Sequence, residues 1–222
     1  MIKIQKHDKK TGKISFTTDM SISLANAIRR SVLEIPIMAI DEVEIVKNDS
    51  ALYDEVLAHR IGLIPIKTAK VSSKEIKFKI KEIGPKIVYS TNIKPDVETG
   101  YKLPITLLEK EQELQLTGTA RLGIGIEHVK YSPGLIYYKH NIDDEVLNFV
   151  KINAQGKISY DEKDLKEKNL SEEERNKIKK LSKAEELIFN IESWGQIEVK
   201  NIFIQATEVL DKNLKELDKT VK

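Results

Sequence analysis

The sequence contains no cysteine among its 222 residues. This absence excludes disulfides, thiolate zinc sites, iron–sulphur clusters and cysteine nucleophiles within this chain. No apolar run approaches the ~18–20 residues that a membrane span requires. The first residues, MIKIQKHDKKTGK, lack the apolar core and small-residue cleavage site of a secretory signal. We therefore expect a cytoplasmic protein that does not enter a membrane.

A strong excess of one charge is also missing, because 37 basic residues face 35 acidic ones and the net charge is +2. Proteins whose main task is to bind phosphates usually carry a clear basic excess. Charge therefore argues against a dedicated nucleic-acid binder. Apolar residues at 40% and charged residues at 32% are typical of a folded protein with a sizeable core.

Alternating apolar residues predict short strands in several parts of the chain. The first two strands are expected at residues 1–5 and 13–17, around a Lys-Lys-Thr-Gly turn, and a third at 38–46. Residues 67–150 are expected to form mostly strands and turns. A further strand is expected at 146–152. A last strand is expected at 187–193. The whole pattern predicts an α+β fold.

The first predicted helix begins after Asp19 or Ser21, either of which can cap its amino terminus. Pro36 ends it, because the residue before a proline is disfavoured in helical geometry. Apolar residues recur along this helix at four-residue spacing: Leu24, Ile28 and Val32.

The second predicted helix follows the polar segment 48–50, Asn-Asp-Ser, which we expect to cap it. Gly62 and Pro65 stop it. Its apolar side is predicted to carry three residues: Leu52, Val56 and Leu63.

The C-terminal part combines a charged connector with a long apolar stripe. Eighteen of the thirty residues at 157–186 are charged, nine of each sign. This composition indicates a solvated connector with a short surface helix near 171–181. From residue 196 onward there is neither glycine nor proline, and apolar residues recur at three- and four-residue steps. Residues 199–204 are rich in β-branched residues and could instead extend the preceding strand. A helix over 199–221 would be roughly 34 Å long, at about 1.5 Å per residue. Its stripe fits a partner and core packing equally well.

Catalytic candidates are few. The four histidines, at positions 7, 59, 128 and 140, belong to no zinc-protease or hydrolase motif. Glu55 and His59 are four residues apart on a helix, but two ligands are too few for a metal site. A metal-dependent enzyme built on Glu55, His59 and His128 stays one hypothesis. The pattern Gly123-Ile124-Gly125 lacks the third glycine of a phosphate loop, so we expect a bulge or a close backbone approach there.

Residues 67–86 hold seven lysines and two acids around Phe78. Such a segment could follow a nucleic-acid backbone, and a free-standing nucleic-acid-binding protein is the alternative function that it indicates. An edge strand whose lysines block pairing with other sheets is the interpretation that we favour.

Several longer motifs together resemble the alpha-like subunits of cellular RNA polymerases. They are LANAIRRSVL at residues 24–33, AIDEVEI at 39–45, NDSALYDEVLAHRIGLIPI at 48–66, EHVKYSP at 127–133 and ESWG at 192–195. The forms at 48–66 and 127–133 are those of archaeal and eukaryotic members, most of all the archaeal D-type members. The resemblance covers most of the chain and is poorest at residues 155–186.

The resemblance implies a discontinuous dimerisation domain, formed by residues 1–37 and 151–222 with the charged connector at 155–186. A mainly-β domain at 38–150 would be inserted into it. In this family the dimerisation domain pairs with a smaller relative, subunit L in archaea. The pair is a platform for the second-largest and largest catalytic subunits and for the small subunits N and P. A role as a non-catalytic assembly subunit, with no catalytic residue and no metal of its own, is therefore expected.

The resemblance and the apolar stripes together predict two surfaces. Docking onto a large subunit is assigned to Asn26, Arg29 and Arg30, although an ordinary solvated helix face is the simpler alternative. No cofactor is expected: some D-type members of the family hold an iron–sulphur cluster, but the matching stretch here lacks cysteine. Sequence-specific DNA binding is not expected either, because the DNA-binding domain of bacterial alpha subunits has no counterpart here. The predicted interface with the smaller subunit consists of Leu24, Ile28, Val32, Val209, Leu210, Leu214 and Leu217.

Overall fold

The computed structural model describes residues 2–68, 75–95, 97–142, 149–153, 158–160, 172–181 and 186–221. Within these ranges the α+β fold class is confirmed. The strands are β1 Lys3–Asp8, β2 Lys13–Thr18, β3 Ile37–Asn48, β4 Glu75–Ile83, β5 Lys86–Tyr89, β6 Pro104–Leu108, β7 Glu113–Gly123, β8 Gly134–His140, β9 Lys151–Ile152, β10 Ile158–Ser159 and β11 Leu187–Ser193. The helices are α1 Ile22–Ser31, α2 Asp54–Gly62, α3 Glu172–Leu181 and α4 Val199–Val221, with 3-10 turns at Val32–Glu34, Ser90–Asn92 and Val129–Tyr131.

The first sheet is antiparallel and has the strand order β1-β2-β11-β8. Helices α1 and α4 contribute side chains to the core on one of its faces. Aromatic rings fill the centre: Phe16 and Phe189 stack with centroids 5.3 Å apart, and Phe203 of α4 meets Phe16 edge-on at 5.1 Å. These contacts fix the first half of α4 on the sheet.

The second sheet has the order β3-β7-β4 and is accompanied by the β5–β6 pair and α2. Its separate core contains Leu57 and Ile61 of α2 and Phe78 of β4. Strand β3 serves both cores, because Ile37 lies in the first core and Met38 in the second. The two cores are therefore joined through one continuous strand.

The helix starts were predicted with mixed success. Ser21 does cap α1, since its Oγ accepts a hydrogen bond from Leu24 N at 3.3 Å. The polar segment 48–50 does not cap α2, which begins after Tyr53 without a side-chain cap. Instead, Asn48 Oδ1 accepts from Ser50 N at 3.1 Å and organises the preceding loop.

The predicted apolar side of α2 was wrong. Leu52 precedes the helix, Val56 is exposed, and Leu63 lies beyond the last helical residue and is exposed as well. Leu57 and Ile61, four residues apart, are the side chains that α2 buries. The helix is rotated from the predicted side because the core it faces comes from distant strands.

The domain division at residues 38 and 150 stays a prediction. Strand β8 falls within 38–150 but pairs with β11, so its residues belong to the sheet formed by the two chain ends. Helix α3 confirms the predicted helix near 171–181, and its Ile178 is buried against Phe149, Val150 and Tyr160. Most of the predicted strand at 146–152 and most of the connector lie outside the described residues.

Candidate subunit interface

Helix α4 divides into a covered half and an open half. Val199, Ile202 and Ala206 are buried in the core of the first sheet. Val209 and Leu210 pack partly against that core. From Asp211 to Val221 every residue is exposed, including Leu214 at 56% and Leu217 at 59%. The apolar stripe therefore continues past the end of the chain's own core.

In the α1 region, two of the three residues predicted to face a partner are buried, and only one is exposed. Ile28 and Val32, predicted to face a partner, are buried in the chain's own core, where α1 packs against α4. This placement differs from the prediction, because a core position leaves them almost no surface for a partner. Leu24, in contrast, is 45% exposed and lies on the open side of α1.

The edge of the first sheet adds an apolar position that sequence reasoning missed. Ile4 of β1 is directly opposite Phe16 of β2, so its side chain lies on the face that carries the core. It is nevertheless 59% exposed. Alternation of Ile2 and Ile4 indicated a half-buried strand, but the pattern does not tell which strand lies at an open edge. We define the open apolar seam as Ile4, Leu24, Leu210, Leu214 and Leu217.

One hydrogen bond holds α4 beside the end of the α1 region. Asn213 Nδ2 donates to Glu34 Oε2 at 2.7 Å. This contact lies where α4 leaves the core, between Leu210 and Leu214. It therefore orients the open half of the helix relative to the rest of the fold.

The three predicted docking residues lie together on α1. Asn26 Oδ1 accepts two hydrogen bonds from Arg29, from Nε at 3.2 Å and from Nη2 at 2.9 Å. Arg30 is exposed. The guanidinium of Arg29 has five N–H donors, so most remain available after Asn26 has fixed the orientation of the group. Their role in docking stays a prediction.

A polar cluster joins the two motifs at 39–45 and 127–133. Lys130 Nζ lies 2.7 Å from Asp41 Oδ1, and Arg121 Nη1 lies 3.3 Å from Asp41 Oδ2. The hydrogen bond from Lys130 holds the pKa of Asp41 below its ordinary value, with help from Tyr131 and the charge of Arg121. Burial, reinforced by the Asp41 charge, raises the pKa of Tyr131 to about 12. The cluster ties β3 to the turn that leads into β8.

The close approach predicted near Gly123 is confirmed at this cluster. A Cβ atom on Gly123 would lie 2.6 Å from the ring of Tyr131. Only glycine leaves room for this ring at its observed position.

A model of the RNA polymerase Rpb3/Rpb11 dimerisation domain matches residues 16–214, which include the second sheet, β8 and β11 of the first sheet, and the part of α4 up to Leu214. The chain belongs to the Rpb3/Rpb11 dimerisation family. The resemblance inferred from the motifs is therefore confirmed at the level of the family.

Named relatives of this Rpb3/Rpb11-family chain are DNA-directed RNA polymerase subunits Rpo3 from archaea. The Pyrococcus horikoshii protein is 37% identical over 72% of this chain and 64% of the relative. The Methanocaldococcus jannaschii protein is 42% identical over 63% of this chain and 75% of the relative. The Archaeoglobus fulgidus protein is 29% identical over all of this chain and 98% of the relative. In the two Pyrococcus relatives the match spans 64% and 59% of their length, less than two thirds.

The structure does not assemble the metal site that Glu55, His59 and His128 would need. His59 and His128 line one small cavity beside Asp41 and Lys130, but Glu55 does not. In the part of the chain that the structure describes, no three His, Asp or Glu residues are grouped as a metal site requires. No described helix has the length and apolar character to span a membrane.

The part of the lysine-rich segment that forms β4, Glu75–Ile83, lies at one side of the three-stranded sheet, as predicted for an edge strand. Several of the segment's lysines are already paired with acids: Lys67 with Glu98, Lys86 with Glu82, and Lys81 with Glu113. Phe78 is buried below the strand and offers no ring for stacking on a base. These contacts favour the edge-strand interpretation over nucleic-acid binding.

Proposed function

We propose that this chain is the alpha-like subunit, of the D type, of an archaeal DNA-directed RNA polymerase. In this role it pairs with a smaller alpha-like subunit, subunit L. The pair then recruits the second-largest and largest subunits and the small subunits N and P. The chain itself carries no catalytic group in this proposal, and its contribution to transcription is assembly.

The observation that carries the proposal is the open half of α4. A helix that projects its last turns into water usually frays unless something covers them. Leu214 and Leu217 extend the stripe of buried Ile202 and Ala206 into this projecting part. A second subunit that packs along the seam would complete a small helical bundle on the face where the first sheet already carries α1 and α4.

The expected energetics of such pairing are substantial. Each leucine removed from water contributes on the order of 1.5–3 kcal/mol. An aspartate at the same position would have to lose its hydration without a partner, which is costly. A single substitution in the seam can therefore separate the two subunits while the fold remains.

Docking of the large subunits is assigned to Asn26, Arg29 and Arg30. Arginine binds carboxylates and backbone carbonyls in a fixed fork geometry. Asn26 positions the fork of Arg29 through two hydrogen bonds, which lowers the conformational entropy that docking would otherwise cost. Arg30, next to it, adds a second cation.

The test is co-expression of the chain with the smaller subunit, followed by measurement of the dissociation constant for Leu210→Asp and Leu214→Asp. We expect each substitution to weaken pairing by at least about tenfold, which corresponds to 1.4 kcal/mol. Leu107→Asp is the matched control, because Leu107 is 55% exposed on β6, away from the seam. Wild-type affinity in both seam variants, with folding intact by circular dichroism, would overturn the placement of the interface.

A further inference from the structure

Strand β8 forms one edge of the first sheet, and it pairs with β11 along its whole length without a register shift. Two backbone hydrogen bonds at the ends of this pairing show its pattern. Asn141 N donates to Glu186 O at 3.0 Å, and Trp194 N donates to Pro133 O at 3.1 Å. Hydrogen-bonded pairs alternate along an antiparallel ladder, so the odd-numbered residues of β8 bond to β11. The even-numbered residues therefore direct their N–H and C=O groups towards the open edge.

Two residues in the middle of β8 have unpaired backbone groups at this edge. The C=O groups of Gly134 and His140, near its ends, already accept hydrogen bonds within the chain. In the part of the chain that the structure describes, no hydrogen bond uses the N–H or C=O of Ile136 or Tyr138. These four groups are the ones that an added strand pairs with.

The side chains on the outer face of β8 are apolar in the middle and basic at one end. Leu135 and Tyr137 are each 49% exposed, on the face opposite to α1 and α4. Lys139 follows at the same spacing, is exposed, and forms no ion pair with any described residue. Glu186, diagonal to Lys139 on β11's side, instead accepts a hydrogen bond from Asn141 Nδ2 at 3.0 Å. The edge therefore offers an apolar surface followed by a cation without a carboxylate.

The other edge strands of six or more described residues carry features that hinder strand addition. Strand β1 has a register shift between Ile4 and Lys6. Strand β3 has two register shifts and exposes Glu42 and Glu44. Strand β4 exposes alternate lysines, and its edge exchanges two backbone hydrogen bonds with Lys94. The central part of β8 has no shift, no proline and no charge, as expected for an edge that another strand covers.

We propose that an extended segment of another polypeptide adds to β8 as a fifth strand of the first sheet. Antiparallel addition fits best, because the whole sheet is antiparallel and antiparallel pairs are the commoner kind. The backbone of the segment pairs with Ile136 and Tyr138. Its side chains place apolar residues opposite Leu135 and Tyr137 and a carboxylate opposite Lys139.

Strand β8 of a second copy does not provide such a segment. Its sequence, GLIYYKH, contains no acidic residue. In antiparallel self-pairing centred on Tyr137, Lys139 faces Leu135, and in pairing centred on Lys139 two lysines face each other. A lysine opposite another lysine is destabilising. Charge complementarity therefore favours a different chain, one with an acidic residue at the end of an alternating apolar segment.

The β8 edge is separate from the open apolar seam. Ile4 of the seam lies on β1, three strands away and roughly 14 Å at about 4.8 Å per strand. It also lies on the opposite face from Leu135, since Ile4 and Tyr138 share the core face. The proposal does not rest on pairing with a smaller subunit, and the full chain alone is used to test it.

Residue-resolved hydrogen exchange of the full chain, measured by NMR, is the first test. The amides of Ile136 and Tyr138 should exchange as unpaired groups, whereas those of Tyr137 and Lys139 should be protected. The probe peptide acetyl-Thr-Glu-Thr-Val-Thr-Val-Thr-amide should slow exchange at Ile136 and Tyr138. Protection of these two amides without the peptide would overturn the proposal, and protection that rises with protein concentration would assign the edge to a second copy.

N-methylated forms of the probe distinguish strand addition from simple apolar contact. In the antiparallel register, the third and fifth residues of the peptide lie opposite Tyr138 and Ile136. N-methylation of these two residues removes the donors that face β8, so affinity should fall by about tenfold or more. N-methylation of the fourth and sixth residues is the matched control and should leave affinity unchanged. An equal loss in both forms would contradict strand addition.

Variants of the chain test the side-chain part of the proposal. Leu135→Lys with Tyr137→Lys should weaken peptide binding by about tenfold or more, because lysines replace the apolar surface. Leu107→Lys with Tyr53→Lys changes the same residue types at exposed positions away from this edge and should retain binding. Lys139→Glu should reverse the preference between the probe and its form with lysine in place of glutamate. Unchanged binding in the edge variant, or no binding of the probe to wild type, would refute the proposal.

Discussion

The hydroxyl of Tyr131 donates a hydrogen bond to Oδ1 of Asp41, with 3.2 Å between the two oxygens. The residues are 90 positions apart in the sequence and belong to different motifs. Asp41 lies on β3, which serves both cores, and Tyr131 precedes β8 of the first sheet. This bond therefore links a strand of the second sheet to the turn that leads into β8 of the first sheet.

Removal of the Tyr131 hydroxyl tests the strength of this joint. Tyr131→Phe should lower the free energy of unfolding by about 1 kcal/mol, because one partly buried hydrogen bond is lost. Tyr137→Phe is a suitable control, since Tyr137 lies on β8 with an exposed ring. Urea unfolding of both variants provides the measurement. Equal stability of the two would show that the bond contributes nothing.

The contribution of Tyr131 to stability should depend on pH at alkaline values, mainly because its phenol is buried and lies beside the Asp41 charge. The folded state raises the pKa of Tyr131 from 10.0 to about 12, so it favours the neutral phenol. The associated stabilisation is complete below pH 10 and declines as the pH rises from 10 to about 12. The difference in stability between wild type and Tyr131→Phe should shrink over that interval. A constant difference across it would contradict this assignment.

The contribution of Asp41 to the stability of the fold should depend on pH in the acidic range. Its folded pKa lies below the ordinary value of 3.8, so its contribution is complete above that value and is lost as the pH falls through the folded pKa. Asp41→Asn should therefore be less stable than wild type at neutral pH, and the gap should narrow in acid. Unfolding curves at neutral and acidic pH decide this, and a gap that widens in acid would refute it.

Gly123→Ala tests the close packing of the Tyr131 ring. The added methyl group would lie 2.6 Å from ring atoms, so the ring or β7 must move. Overpacking of this kind costs about 1–3 kcal/mol. Gly62→Ala is the matched control, because a methyl group on Gly62 meets no heavy atom within 4 Å at the end of α2. Only the first variant should lower the melting temperature.

The docking surface on α1 is tested with Arg29→Ala combined with Arg30→Ala. We expect the variant to retain pairing with the smaller subunit, since the arginines lie outside the seam, and to recruit the second-largest subunit less well. Reconstitution followed by size-exclusion chromatography measures both steps. Lys77→Ala with Lys79→Ala controls for loss of positive charge. Loss of both steps in the arginine variant, with the fold retained, would contradict the assignment.

Metal content is a further test. The purified chain should contain no stoichiometric iron or zinc, because it has no cysteine and its histidines do not have ligand spacing. Elemental analysis after mild chelation measures this directly. One metal ion per chain would refute the expectation.

Local patterns in the sequence determined much of the fold. The strand at Leu187–Ser193 has the predicted bounds, and the C-terminal segment is helical over Val199–Val221, as its three- to four-residue apolar spacing indicated, although the start of that helix was left open. Ser21 was one of the two cap residues predicted for α1, with Asp19, and the structure shows that Ser21 is the cap. The family followed from long motifs in a fixed order, which the match over residues 16–214 confirms.

The tertiary structure decided which apolar residues of those elements are buried and which stay exposed. Periodicity gives the apolar side of a helix but not the point where the core beside it ends, so it could not separate buried Ile28 from exposed Leu214. It could not place β8 beside β11 either, because strand pairing joins residues that are distant in the chain. The open seam and the Asp41–Tyr131 hydrogen bond exist only once the sheets have formed. Each depends on contacts between elements that are distant in the sequence, and the local pattern of one element does not reveal which other element it will contact.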